Sequence, residues 1–256
     1  MSRENLMAWE VKLKSLLLFL TSIALSSSVN AELITLTFPG WEIQYNCQKR
    51  GPESFFYQAV PDTGNHKRSS RFHAEERLPR HCRQFSTSTY KLSKNAEIFY
   101  DRGHMVPANH FDHDKAMINA TNSMANIVPQ ASKLNRHGAW RKTEELVECY
   151  RDIGITNVWG GVIWGKDFRN DHFFETHGVV TPDFLWKIIQ FPNGKVNGWI
   201  MPNSNAATAV NMDSYLVAPK TISKYTGIKF PFFNNELNKK DDFSMKKPKG
   251  CSREHL

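Results

Sequence analysis

Short runs of alternating apolar and polar residues, separated by Pro, Gly and Asn, dominate the chain and predict strands joined by turns. Residues 33 to 45 carry β-branched and aromatic side chains around Pro39-Gly40 and predict a strand pair. Glu97 to Asp101 and Met124 to Pro129 predict two further short strands. Asn157 to Trp164 reads as a buried strand ending in a turn. Phe184 to Phe191 and Gly198 to Pro202, joined through Pro192-Asn193-Gly194, read as a hairpin. Helical spacing is confined to fewer places. Between Gly138 and Ile153, the residues Ala139, Trp140, Thr143, Leu146, Val147 and Tyr150 recur on one helix face. Val217 to Thr226 predicts a last short helix closed by Gly227. Residues 61 to 94 are polar, basic and turn-rich and predict an irregular segment.

This order predicts an α+β fold, a central antiparallel sheet flanked by helices. The chain has 256 residues and no internal repeat, which favours one domain over residues 32–235. Residues 236–256 are expected to be a basic tail, with a lysine-rich run from Lys239 to Lys249 that Cys251 can pin. Residues 1–31 stand apart. Lys12 and Lys14 precede an apolar run of about 11 residues from Ser15 to Leu25, and a small-x-small site ends at Ala31. The run is short against the roughly 20 residues that span a bilayer. It reads as a signal peptide cleaved near Ala31, giving a secreted or periplasmic protein.

Four cysteines, Cys47, Cys82, Cys149 and Cys251, follow the leader. An even count in an exported chain predicts two disulfides with three open pairings. No C-x-x-C occurs, which argues against a structural zinc site. Lys and Arg total 33 against 25 Asp and Glu, a net charge of +8 that favours encounter with polyanions. Lys67, Arg68, Arg71, Arg77, Arg80 and Arg83 form a basic stripe, suited either to tracking phosphates or to a solvated loop.

The chemistry concentrates between Tyr100 and Tyr150. Asp101-Arg-Gly-His104 places a histidine after a strand. Ala125-Asn-Ile-Val-Pro-Gln130 and Leu134-Asn135 follow, then Ala139-Trp140 and Glu144. A neutral imidazole can take a proton from water near neutral pH. An asparagine carbonyl suits a hard, hydrated Mg²⁺ where a ring of carboxylates would repel phosphate. Arginines such as Arg102 make bidentate phosphate contacts. His104, Asn135, Glu144 and Arg102 are therefore the set that phosphodiester hydrolysis needs, if the fold gathers them. His110-Phe-Asp-His-Asp114 reads either as a second metal site or, more ordinarily, as a helix cap before Lys115.

The three spaced motifs resemble the DNA/RNA non-specific endonuclease family, which has a ββα-metal active site; the likeness runs over residues 40 to 230. It implies a Mg²⁺-dependent endonuclease (Mn²⁺ substituting) acting on DNA and RNA without sequence preference and leaving 5′-phosphate ends. His104 would be general base, Asn135 the direct metal ligand and Glu144 the holder of metal-bound waters. Asn126 would orient the site, and Arg102 would touch phosphate or fix its loop. Arg71 lies about where the family has an upstream catalytic arginine. Arg71, Arg102, Arg136 and Arg141 are the implied nucleic-acid contacts, and a homodimer is among the assemblies that relatives form. Two departures stand out. One residue is added between Asn135 and Trp140. Glu148 also occupies the place where many relatives have an arginine, for which Arg141 or Arg151 are substitutes out of register. A binding protein that has lost catalysis is the competing reading.

Overall fold

The computed structural model describes residues 32–232, 234–238 and 240. The expected leader, Cys251 and most of the lysine-rich tail lie outside the described residues.

The hairpin expected at Pro39-Gly40 joins β1 (Leu33–Phe38) to β2 (Trp41–Asn46), with Gly40 at φ +82°. β3 (Gly51–Ala59) lies between β2 and β6 (Thr156–Ile163). Sequence pattern did not mark β3, because Gly51-Pro52 reads as a turn and Phe55-Phe56-Tyr57 breaks the alternation. β7 (Phe184–Gln190), β8 (Val196–Pro202) and β9 (Leu216–Val217) complete a seven-stranded sheet in the order β1-β2-β3-β6-β7-β8-β9. All of its pairings are antiparallel. β4 (Tyr100–His104) and β5 (Ile127–Ala131) pair antiparallel as a separate ribbon.

Helices cover both faces. In chain order they are α1 (Lys115–Ala120), α2 (Ser132–His137), α3 (Ala139–Arg151), α4 (Phe174–His177), α5 (Pro219–Thr226) and α6 (Asn234–Leu237). The period-2 rule shows along β7: Leu185 and Ile189 join the core that holds Trp140, Leu146 and Val147 of α3. Trp186 and Ile188 point the other way and pack with Ile222 of α5. Each such fully buried large side chain contributes roughly 1.5–3 kcal/mol. Lys187, between them on the α3 side, is a buried cation in this otherwise apolar row.

Three details differ from the pattern-based reading. β4 runs three residues past Asp101, so His104 ends the strand instead of following it. Val217 belongs to β9, where it pairs with Gly198, and the helix starts at Pro219. Leu237 packs against the second core, so ordered structure extends beyond residue 235. Of the cysteines, Cys47 and Cys82 are joined, and Cys149 is disulfide-bonded as well.

Candidate active site

The β4–β5 ribbon followed by α2 and α3 builds the site. Asp101 pairs with Gln130 and His104 with Ile127. Gly103 is required by close approach, since a Cβ there would overlap the Gln130 side chain.

His104 is only 7% exposed. Asn122 Nδ2 donates to Ser69 O at 2.8 Å, which turns its Oδ1 toward the imidazole. Nε2 then donates to that oxygen at 3.0 Å, and the lone pair falls on Nδ1. Arg68 Nη2 lies 3.1 Å from Nδ1 and 3.3 Å from Nε2. Burial, then the Arg68 charge, push the His104 pKa down to about 3, so the ring is neutral above that pH. Phe72 meets the ring edge-on at 5.4 Å and also carries the Arg102 guanidinium over its own ring at 3.7 Å. Residues 68–73 thus form a strap across the histidine.

Asn126 supports this arrangement from below. Its Oδ1 accepts from Val106 N at 2.8 Å, and its Nδ2 donates to Val106 O and Thr121 O, each at 2.9 Å. It fixes the turn after β4 without touching the imidazole in these contacts.

Asn135 is held by Asp101, three residues before His104. Its Nδ2 donates to Asp101 Oδ2 at 2.9 Å, which leaves Oδ1 as the amide's ligand atom. Arg136 makes a two-pronged contact to the same carboxylate at 2.9 and 2.6 Å. Hydrogen bonds from Arg136 and Asn135 overcome burial and hold Asp101 below the usual carboxylate range. Asn135 lies inside α2. Gly138 separates α2 from α3. A Cβ at Gly138 would overlap Ala207 O and crowd Leu134 Cα at 2.6 Å.

Glu144 is buried on α3. Arg141 Nη1 lies 3.4 Å from Glu144 Oε2 and 3.3 Å from Glu148 Oε1. Burial outweighs Arg141 and raises Glu148 to about 7. Lys187 Nζ sits 3.6 Å over the Trp140 ring, and burial lowers it to about 8.

The structure thus holds a buried neutral imidazole at the end of β4, an amide tied to Asp101 of the same strand and a buried carboxylate on α3. A model of the DNA/RNA non-specific endonuclease family matches residues 21–238. The chain belongs to that family.

Mitochondrial endonuclease G of Bos taurus is 26% identical over 164 residues, covering 57% of this chain and 53% of that protein. The Homo sapiens protein is also 26% identical, with 57% and 54% covered. The chain spans about half the length of these curated relatives. A crystal structure of an EndoG/EndoGI complex superposes with a TM-score of 0.64 at 21% identity, covering 80% of this chain and 88% of that one. That likeness shows the shared ββα-metal nuclease fold.

Within this nuclease family member, the remaining sequence-marked residues fall out as follows. Arg71 is exposed, its backbone N–H donating to Ser69 Oγ, and it is Arg68 that reaches His104. Arg102 Nη1 donates to Thr87 O at 2.7 Å. Arg136 and Arg141 face carboxylates within the protein. Much of the basic stripe is structural: Arg77 pairs with Glu75 at 2.7 Å and Arg83 donates to Leu78 O at 2.7 Å. The second-metal reading of residues 110 to 114 yields to the ordinary one. Asp114 caps α1 through Ala116 N and Met117 N, and buried His110 bonds Tyr57 through Nδ1 at 2.8 Å. Asn122, Phe72 and the role of Arg68 were missed, because no local periodicity marks a strap whose partners lie 30 to 53 residues away.

Proposed function

We propose that this protein is an exported, Mg²⁺-dependent endonuclease that hydrolyses DNA and RNA without sequence preference, leaving 5′-phosphate ends. The observation that carries this reading is the buried, neutral His104 with its tautomer set by Asn122 and its Nδ1 facing Arg68. An entering phosphate diester draws the Arg68 guanidinium onto its oxygens, which frees Nδ1 to accept a proton from the attacking water. Asn122 Oδ1 then stabilises the imidazolium through Nε2–H.

The donor set fits a hard divalent ion: the pinned Asn135 Oδ1 is a neutral oxygen ligand, and the Glu144 carboxylate is suited to binding metal-held waters. When bound, the ion supplies charge neutralisation and stabilises the leaving oxygen. Mn²⁺ satisfies the same oxygen donors. The expected leader assigns the protein to the periplasm or the exterior, and the Cys47–Cys82 disulfide accords with an oxidising compartment.

The test is incubation with plasmid DNA and with RNA, in Mg²⁺ or in EDTA. Metal-dependent degradation of both polymers, with products that a ligase accepts through their 5′-phosphates, supports the reading. Intact but retarded DNA would overturn it in favour of a binding protein.

A further inference from the structure

Glu144 and Glu148 are both buried and lie one turn apart on the same face of α3. Two such carboxylates repel each other in a low-dielectric setting unless a cation lies between them. Arg141 supplies it, at 3.4 Å from Glu144 Oε2 and 3.3 Å from Glu148 Oε1. Positions 141, 144 and 148 follow the i, i+3, i+7 spacing that stacks side chains along one helix face. Glu148 is packed against His110, whose Nε2 lies 3.7 Å from Glu148 Oε1 and whose Nδ1 bonds Tyr57 OH at 2.8 Å. These groups come from β3, the segment before α1, and α3, and all three are buried.

We infer that Arg141 and Glu148 are positioning residues, a clamp that fixes the Glu144 carboxylate for binding metal-held water. Arg141 therefore serves the metal site from inside the protein and is not a nucleic-acid contact. The guanidinium holds Glu144 Oε2 and does not occupy Oε1, which the clamp leaves for metal-held water. Glu148 keeps the guanidinium from swinging to solvent. The clamp rests on the proposed metal-dependent reaction, but it concerns ion binding and can be read without nucleic acid.

The test measures Mn²⁺ binding to the full chain by isothermal titration calorimetry, with no nucleic acid present. Arg141→Gln is expected to weaken binding by about 10-fold or more, as loss of a group that orients a metal-binding side chain does. Glu148→Gln should weaken it less, and Arg141→Lys should recover part of the loss. The exchanged pair, Arg141→Glu with Glu148→Arg, restores a cation next to Glu144 and should bind better than Arg141→Gln. Unchanged Mn²⁺ affinity in Arg141→Gln and Arg141→Lys, with a raised KM for DNA, would overturn the clamp and return Arg141 to the phosphate surface. Loss of thermal stability with unchanged affinity would reduce it to a structural pair. A wild-type protein that binds Mn²⁺ but cuts no polymer would sink the nuclease reading, while the variants would still decide the clamp.

Discussion

Arg68 Nη2 lies 3.1 Å from His104 Nδ1, so the one ring nitrogen free to act as a base faces a cation. This contact joins substrate binding to base activation, because a phosphate that recruits Arg68 also exposes the lone pair. Removing the guanidinium removes the second-largest influence depressing the imidazole. In Arg68→Ala the His104 pKa should rise from about 3, followed by NMR titration of the ring. The turnover rate should fall by roughly 10²–10³, the usual loss for one charge-stabilising donor. An unmoved pKa would show that the contact does not persist in solution.

Asn122 and Asn126 separate orientation from support. Asn122→Ala releases Nε2 and should lower kcat about 10–100-fold with modest change in stability. Asn126→Ala leaves Val106 N, Val106 O and Thr121 O without partners. Each costs about 1–3 kcal/mol if buried unpaired, so its melting temperature should fall clearly. Thermal melts and steady-state kinetics on both variants check the division.

Gly138→Ala should destabilise by about 1–3 kcal/mol, because the added methyl meets Ala207 O and Leu134 Cα where α2 gives way to α3. Denaturant unfolding measures this. A neutral result would mean that the α2–α3 break relaxes freely.

Acid stability follows from His104 with a definite sign. Its folded pKa is about 3, against about 6.5 unfolded, so below pH 6.5 the unfolded chain takes a proton that the folded protein refuses. Stability therefore falls as pH drops from about 6.5 toward 3. Glu148 acts oppositely: folded, it keeps its proton up to about 7, so its contribution declines as pH rises from about 4.5 to 7. His104→Gln should gain stability relative to wild type at acid pH, and Glu148→Gln should gain near neutrality. Parallel melting-temperature curves for all three proteins would contradict both assignments.

The elements that sequence pattern marked well are those whose signal is local. Trp140 to Tyr150 repeat on one face, and α3 forms there; Pro39-Gly40 turns where expected. β3 was hidden because Phe55, Phe56 and Tyr57 are consecutive, and the strand shows itself only between its partners β2 and β6. At the site, His104, Asn135 and Glu144 are proposed from their spacing, which resembles the family pattern. Arg68 and Asn122 were not legible: their roles arise from a strap folding back over β4, a tertiary event with no period in the sequence. Arg136 and Arg141 are nucleic-acid contacts that the resemblance implies, and the geometry adds that they pair with Asp101, Glu144 and Glu148.

Single-turnover cleavage of DNA by His104→Ala, measured beside its DNA affinity in Mg²⁺, tests the central claim most directly. A rate loss of roughly 10²–10⁴ with affinity close to wild type is the predicted result, since only proton transfer is removed. A wild-type cleavage rate in His104→Ala would contradict it.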